Sequence, residues 1–149
     1  MLRPFFRIAS KTLNKPPIYT IQTDGLFHQR LQISRTAVLT ITKPPYERVA
    51  TYYDHKNLYE SDWVSILDGL KLAHSLDMGG VQVENDNLAV INVLMADEEP
   101  EWSNQMNIRE HFYEVKKLAN EFDWVEVRWI PRELNYADML FKKFQDLKR

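Results

Sequence analysis

Four aspartates in this chain have the types and spacing to do chemistry: Asp24 in Ile-Gln-Thr-Asp-Gly, Asp62 in Glu-Ser-Asp-Trp, Asp86 in Glu-Asn-Asp-Asn and Asp138 in Asn-Tyr-Ala-Asp. Each falls at a predicted end of a strand or helix. Carboxylates with no cysteine or histidine in the same motifs are the ligand set of hard cations such as Mg²⁺. The chain has no cysteine, so disulfides, thiolate zinc sites and thiol nucleophiles are excluded together. His28, His55, His74 and His111 show no metal-binding spacing and read as exposed or loop histidines. Singly, each acid also has an ordinary use: Asp24-Gly25 as a turn, Asp62 as a helix N-terminal acid, Asp86 as an N-cap, Asp138 as an exposed helix residue. Their joint occurrence in order along the chain points to metal binding.

The chain that must position them has 149 residues, 44% hydrophobic and 27% charged, with 4 glycines. That length suits one domain able to bury roughly 70% of its unfolded surface, and the composition is that of a globular protein. The apolar run near the N-terminus is too short for a secretory core, and no membrane span is expected. Absence of cysteine permits a reducing compartment, and cytoplasm is the expected location. A net charge of −2 gives no global attraction to nucleic acid, so any such binding must use a local basic surface.

Pro4, Pro16 and Pro17 interrupt regular structure and Lys11 and Lys15 keep it solvated, so residues 1–16 are expected to form an N-terminal arm and 17–149 the domain. Alternation predicts a strand over Ile18–Asp24, a turn around Gly25, a second strand near residues 31–42 and a third over Arg48–Asp54, joined to the second through Lys43-Pro44-Pro45. Trp63, Ile66, Leu67, Leu70 and Ala73 then follow helical spacing, with a stop at Met78-Gly79-Gly80. A short strand over Val81–Glu84, a brief helix over Asn87–Met95, an acidic loop over Asp97–Glu101 and a helix marked by Ile108, Phe112, Val115, Ala119 and Phe122 come next. A fifth strand, Trp124–Ile130, ends at Pro131, and a last helix carries Ala137, Leu140, Phe141 and Phe144. Trp63, Trp124 and Trp129 lie within these patterns and read as core. The order βββαβααβα predicts an α/β fold: a five-stranded mixed sheet, three strands antiparallel and two added in parallel, flanked by helices.

This order, with Tyr-Thr-Ile-Gln-Thr-Asp-Gly, Ser-Asp-Trp-x₅-Gly-Leu-Lys-Leu-Ala, Val-x-Val-Glu-Asn-Asp-Asn-Leu-Ala-Val and Pro-Arg-Glu-Leu-Asn-Tyr-Ala-Asp-Met-Leu, resembles the ribonuclease H family from about Ile18 to Phe144. The resemblance implies the ribonuclease H-like fold and Mg²⁺-dependent cleavage of the RNA strand of RNA–DNA hybrids, with Mn²⁺ as a substitute. It implies two ions roughly 4 Å apart, bridged by Asp24. Asp24 and Asp138 would hold the one activating water; Asp24, Asp62 and Asp86 would hold the other. The hybrid is the implied partner, with no membrane and no nucleotide cofactor.

The sequence departs from the family at several points. Asp62 stands where the family has Glu, and Glu60 is the rival ligand. The two differ by about 200° of helical rotation and cannot both face one site within a helix; spacing from Gly69-Leu70 favours Asp62. Asn135 to Asp138 is one residue tighter than usual. The loop before the last helix has no histidine, leaving Arg132 for phosphate contact. The glycine-rich hairpin is replaced by Leu26-Phe27-His28-Gln29-Arg30, Leu88 stands for a polar residue, and the basic tryptophan-containing insertion is replaced by a short acidic segment with Trp102. These departures keep two alternatives open: an inactive nucleic-acid-binding or protein-interaction module, and a nuclease of the same fold with another substrate, such as an exonuclease or junction resolvase.

Overall fold

The computed structural model describes residues 6–10, 16–96 and 106–145; the acidic loop and Trp102 lie outside the described residues. Ten elements follow in order: β1 (Phe6–Ser10), β2 (Tyr19–His28), β3 (Ile33–Thr40), β4 (Glu47–Tyr52), α1 (Leu58–Ser75), β5 (Gly80–Asn85), α2 (Leu88–Ala96), α3 (Met106–Ala119), β6 (Trp124–Trp129) and α4 (Met139–Lys143). Two 3₁₀ turns, Arg132–Leu134 and Tyr136–Asp138, lead into α4.

The expected five-stranded mixed sheet is present as β2 to β6. β2, β3 and β4 form the antiparallel meander, and β5 and β6 add in parallel on the other side of β2. β1 extends it to six strands in the order β1-β6-β5-β2-β3-β4, pairing antiparallel with β6. That strand has no counterpart among the strands expected from the sequence. Its alternation is short and its register shifts between Arg7 and Ala9, so the pairing comes from the open edge of β6 rather than from a local pattern.

β2 is central and buried from Ile21 to Gly25, as a strand covered on both faces must be. It runs through Gly25, where the sequence suggested a turn, and no glycine has positive φ. The glycine serves close approach instead: a Cβ there would stand 2.6 Å from the backbone N of Asp62 and from the carbonyl carbon of Ser61. Gly69 does the same further along α1, where a Cβ would meet Thr23 Cγ2 at 2.7 Å. The two glycines let α1 lie directly on the central strand.

α1 starts at Asn57, whose side chain accepts the Glu60 N–H at 2.9 Å, while Glu60 Oε1 reaches back to the Lys56 N–H at 2.8 Å. This reciprocal arrangement satisfies donors that the first turn leaves open. The helix ends at Ser75, before the expected glycines; Asp77 follows with φ 57, and the Met78 N–H returns to the Ala73 carbonyl. The predicted stripe of Trp63, Ile66, Leu67, Leu70 and Ala73 is buried. It joins Ile21, Val38, Val83, Val127, Phe112 and Val115 in the main core between the sheet and α1 to α3. Each such side chain contributes about 1.5–3 kcal/mol through burial. The opposite face carries a smaller cluster of Ala37, Ala137, Leu140 and Phe141. Among the described residues no helix is long and apolar enough to cross a membrane.

Two expectations are corrected. Trp129 is 37% exposed, because it ends β6 beyond the layer that α2 covers. His55 is buried at 8% exposure, held by Ser34 Oγ at 2.8 Å from Nδ1 and stacked on Tyr52, and His111 is half-buried against Glu60. Neither is the exposed histidine its sequence position suggested.

Candidate metal centre

Parallel strands β2 and β5 pair as far as Gln22 and Glu84, then separate. The crevice beyond the carboxyl ends of parallel strands is where open α/β sheets bind ligands. Asp24 lies two residues further along β2, and Asp86 follows directly on the last residue of β5. Buried Asn85 holds the opening: its Nδ2 reaches the Thr23 carbonyl at 3.1 Å and Thr23 Oγ1 at 3.0 Å, and its Oδ1 takes the Asn87 N–H at 2.8 Å. Asn135 Nδ2 donates to the same Thr23 carbonyl at 2.9 Å, which brings the turn carrying Asp138 to the strand.

Asp62 enters from the first turns of α1. Its Oδ1 accepts the Gly25 N–H at 2.9 Å and its Oδ2 accepts Asn87 Nδ2 at 2.9 Å. Each carboxylate oxygen has two lone pairs, so these bonds do not use up the acceptor capacity of the group. The structure brings Asp24, Asp62 and Asp86 together, with an oxygen from each within 4.8 Å of the others. Asp138 is exposed and stands beside the three, hydrogen-bonding with Asp24 and repelling Asp24 and Asp86. Exposed Arg132 acts electrostatically on Asp86. Glu60 faces elsewhere, with His111 Nε2 at 2.9 Å from its Oε2.

Among the described residues no lysine or arginine forms an ion pair with Asp24, Asp62 or Asp86. Burial, with repulsion from Asp86 and Asp62, pushes the Asp24 carboxyl up to about 9. Burial likewise raises Asp62 to about 7 against the opposing hydrogen bond from Asn87. Asp86 is raised by burial and held down partly by Asn135 and Arg132. Carboxylates crowded out of water at such cost require protons or a cation. Oxygen-only donors at this spacing fit a hard divalent ion rather than zinc or copper.

Asn85, Asn87 and Asn135 position the acids, and sequence reasoning gave no role to Asn85. The available signal was the run Glu84-Asn85-Asp86-Asn87 directly after a strand, where asparagine side chains bond nearby backbone. The apolar groups Leu88, Trp129, Leu134, Tyr136 and Met139 are all exposed on the segments that carry or flank the acids. The indole N–H of Trp129 donates to the Asp86 carbonyl at 3.0 Å.

A family profile described as reverse transcriptase-like matches residues 22–143. No curated protein matches the sequence significantly. Solved structures do match. RNase H1 from the halophilic archaeon Halobacterium salinarum is 16% identical, with a TM-score of 0.72 over 83% of this chain and 94% of its own. The N-terminal RNase H domain of a Mycobacterium tuberculosis protein is 18% identical, with a TM-score of 0.74 over 87% of this chain and 94% of that chain. LC11-RNase H1, solved in complex with an RNA/DNA hybrid, is 17% identical, with a TM-score of 0.69 over 82% and 92%.

Proposed function

Because this chain belongs to the reverse transcriptase-like, ribonuclease H family, we propose that it is a metal-dependent endonuclease that hydrolyses the RNA strand of RNA–DNA hybrids. The carrying observation is the group formed by Asp24, Asp62 and Asp86 within 4.8 Å, buried or half-buried, with no lysine or arginine ion-paired to it among the described residues. Asp24, Asp62, Asp86 and Asp138 would hold two Mg²⁺, or Mn²⁺, with Asp24 shared. When bound, such ions polarise a phosphoryl oxygen and lower the pKa of water.

The chain's own residues do the positioning. Gly25 and Asn87 fix both Asp62 oxygens, one of which lies within 4.8 Å of oxygens of Asp24 and Asp86. Asp138, exposed beside the group, would complete the ligand set of the ion that activates water. Arg132, exposed and near enough to Asp86 to act on its charge, would contact a substrate phosphate. Asp62 is assigned in preference to Glu60 because Glu60 is committed to His111 and the Lys56 backbone.

Replacing Asp86 with Asn is expected to abolish Mg²⁺- and Mn²⁺-dependent hybrid cleavage, and unchanged cleavage would refute the assignment. A binding module without catalysis is the second reading, favoured by the fact that both Asp62 oxygens already carry hydrogen bonds. Calorimetric titration with Mn²⁺ separates the two: heat of binding supports the nuclease, and none supports the module. Cleavage of hybrid, duplex DNA, duplex RNA and junction substrates compared side by side identifies the substrate.

A further inference from the structure

On the sheet face that carries Asp24, side chains at every second residue of β2 continue the line away from the acids: Leu26, then His28. Leu26 is paired with Arg35 of β3, and Arg35 with Thr51 of β4. Four residues of strand span about 14 Å, so this line runs well past the acid group. The short α4 covers only its beginning, through Phe141 against Ala37. Beyond it, among the described residues, the face opens into cavities.

Two cavities occupy the open part. One, about 300 Å³, is lined by Asp138, Leu26, His28, Arg35 and Lys142 among others. The other, about 590 Å³, also touches His28 and Arg35 and has walls of Leu31, Ile33, Val49, Tyr53 and Phe144. Shared residues make them one groove that begins at Asp138, beside the acid group. Among the described residues no carboxylate pairs with Arg35 or Lys142; the one lining acid besides Asp138, Glu47, is neutralised by Lys143 at 2.6 Å. Arg35 is held in place by the Phe141 carbonyl at 3.4 Å and by the Phe141 ring, 5.9 Å from its guanidinium carbon. It lines both cavities. Tyr53 is 75% exposed and Leu31 64% exposed at the far rim.

The geometry points to this groove as the path of an unpaired stretch of nucleic acid running on from the acid group. This rests on the nuclease reading and names a part of the substrate that reading leaves open. A duplex shows its surroundings phosphates and sugars, which would leave the apolar walls unmatched. An unpaired strand offers both what Arg35 and Lys142 can neutralise and flat base faces for Tyr53 and its apolar neighbours. Cations that track a backbone combined with exposed aromatic rings are how single strands are held without sequence preference.

The test is fluorescence anisotropy in chelator, so that binding is read without turnover. The probes are a short blunt hybrid, the same hybrid with an unpaired DNA extension at either end, and the extension strand alone. The wild type is expected to bind one extended hybrid about tenfold tighter than the blunt one, the scale of one stacked base plus one phosphate contact. Tyr53→Ala and Arg35→Gln are each expected to remove most of that gain and leave blunt-hybrid affinity unchanged. Arg35→Gln should also lower the salt dependence of extended-hybrid binding by about 0.7 in log–log slope. Equal affinity for blunt and extended hybrids, or a gain that survives both substitutions, overturns the groove assignment while blunt binding still upholds the hybrid reading. Binding of the lone strand with none of the blunt hybrid leaves the groove standing and removes the hybrid as substrate. Should Arg35→Gln melt early, Tyr53→Ala, at a fully solvated rim, decides alone.

Discussion

The backbone N–H of Gly25 donates to Asp62 Oδ1 at 2.9 Å. That contact ties the strand bearing one acid to the helix bearing the next, and it exists because the position directly after Asp24 has no side chain. Gly25→Ala would place a methyl 2.6 Å from the Asp62 backbone. It is expected to destabilise the protein by about 1–3 kcal/mol in urea unfolding and to weaken Mn²⁺ binding in calorimetry. Unchanged Mn²⁺ affinity would mean that the spacing of β2 and α1 does not set the site.

An aspartate whose carboxyl is raised from 3.8 to about 9 in the folded chain keeps a proton that the unfolded chain has released. Stability of the metal-free protein should therefore fall as pH rises between those two values. Asp24→Asn should flatten the slope, raise metal-free stability above pH 7 and abolish Mn²⁺ binding. Urea midpoints across the pH range in chelator check this. A wild-type midpoint that rises with pH in that window would contradict the burial and repulsion assigned to Asp24.

Glu60 and Asp62 are both buried on α1 yet meet different partners, His111 for the first and Gly25 with Asn87 for the second. Asp62→Asn should lower Mn²⁺ affinity by at least about tenfold, the scale on which ligand-shell changes act. Glu60→Gln should leave that affinity in place and lower the melting temperature instead. The reverse pattern would transfer the ligand role to Glu60.

Asn87 holds Asp62 Oδ2 at 2.9 Å while its own Oδ1 accepts the Ala89 N–H at 3.1 Å at the start of α2. Asn87→Ala is expected to weaken Mn²⁺ binding about 10- to 100-fold and to cost about 1 kcal/mol of stability through the lost cap. Asn87→Ser, which retains an oxygen for the cap, should recover stability but not affinity. Paired calorimetry and urea unfolding separate the two effects.

What was legible in the sequence was whatever a local pattern encodes. The alternation of β3 and β4 and the α1 stripe predicted those elements because side chains one period apart share a face. The acid motifs could be read because each sits at an element end. Gly25 was misjudged as a turn because a residue that makes room for a helix and one that bends a strand look alike without the helix. Asn85 had no assigned role because its worth depends on Thr23 and Ser65 coming within reach of one side chain. His55 is buried for the same kind of reason: Ser34 and Tyr52 reach it from two different strands, and Ser34 is itself bonded to Ser61 of α1.

β1 lies against β6, its partner residues separated from it by almost the whole fold in sequence. Closing so large a loop is entropically slow. During synthesis the opening strand must therefore wait, unpaired, until the segment after α3 has left the ribosome. Assembly of the sheet can begin in the meander and the helix behind it, and β1 docks only once β6 is in place, as a seal on a structure already made.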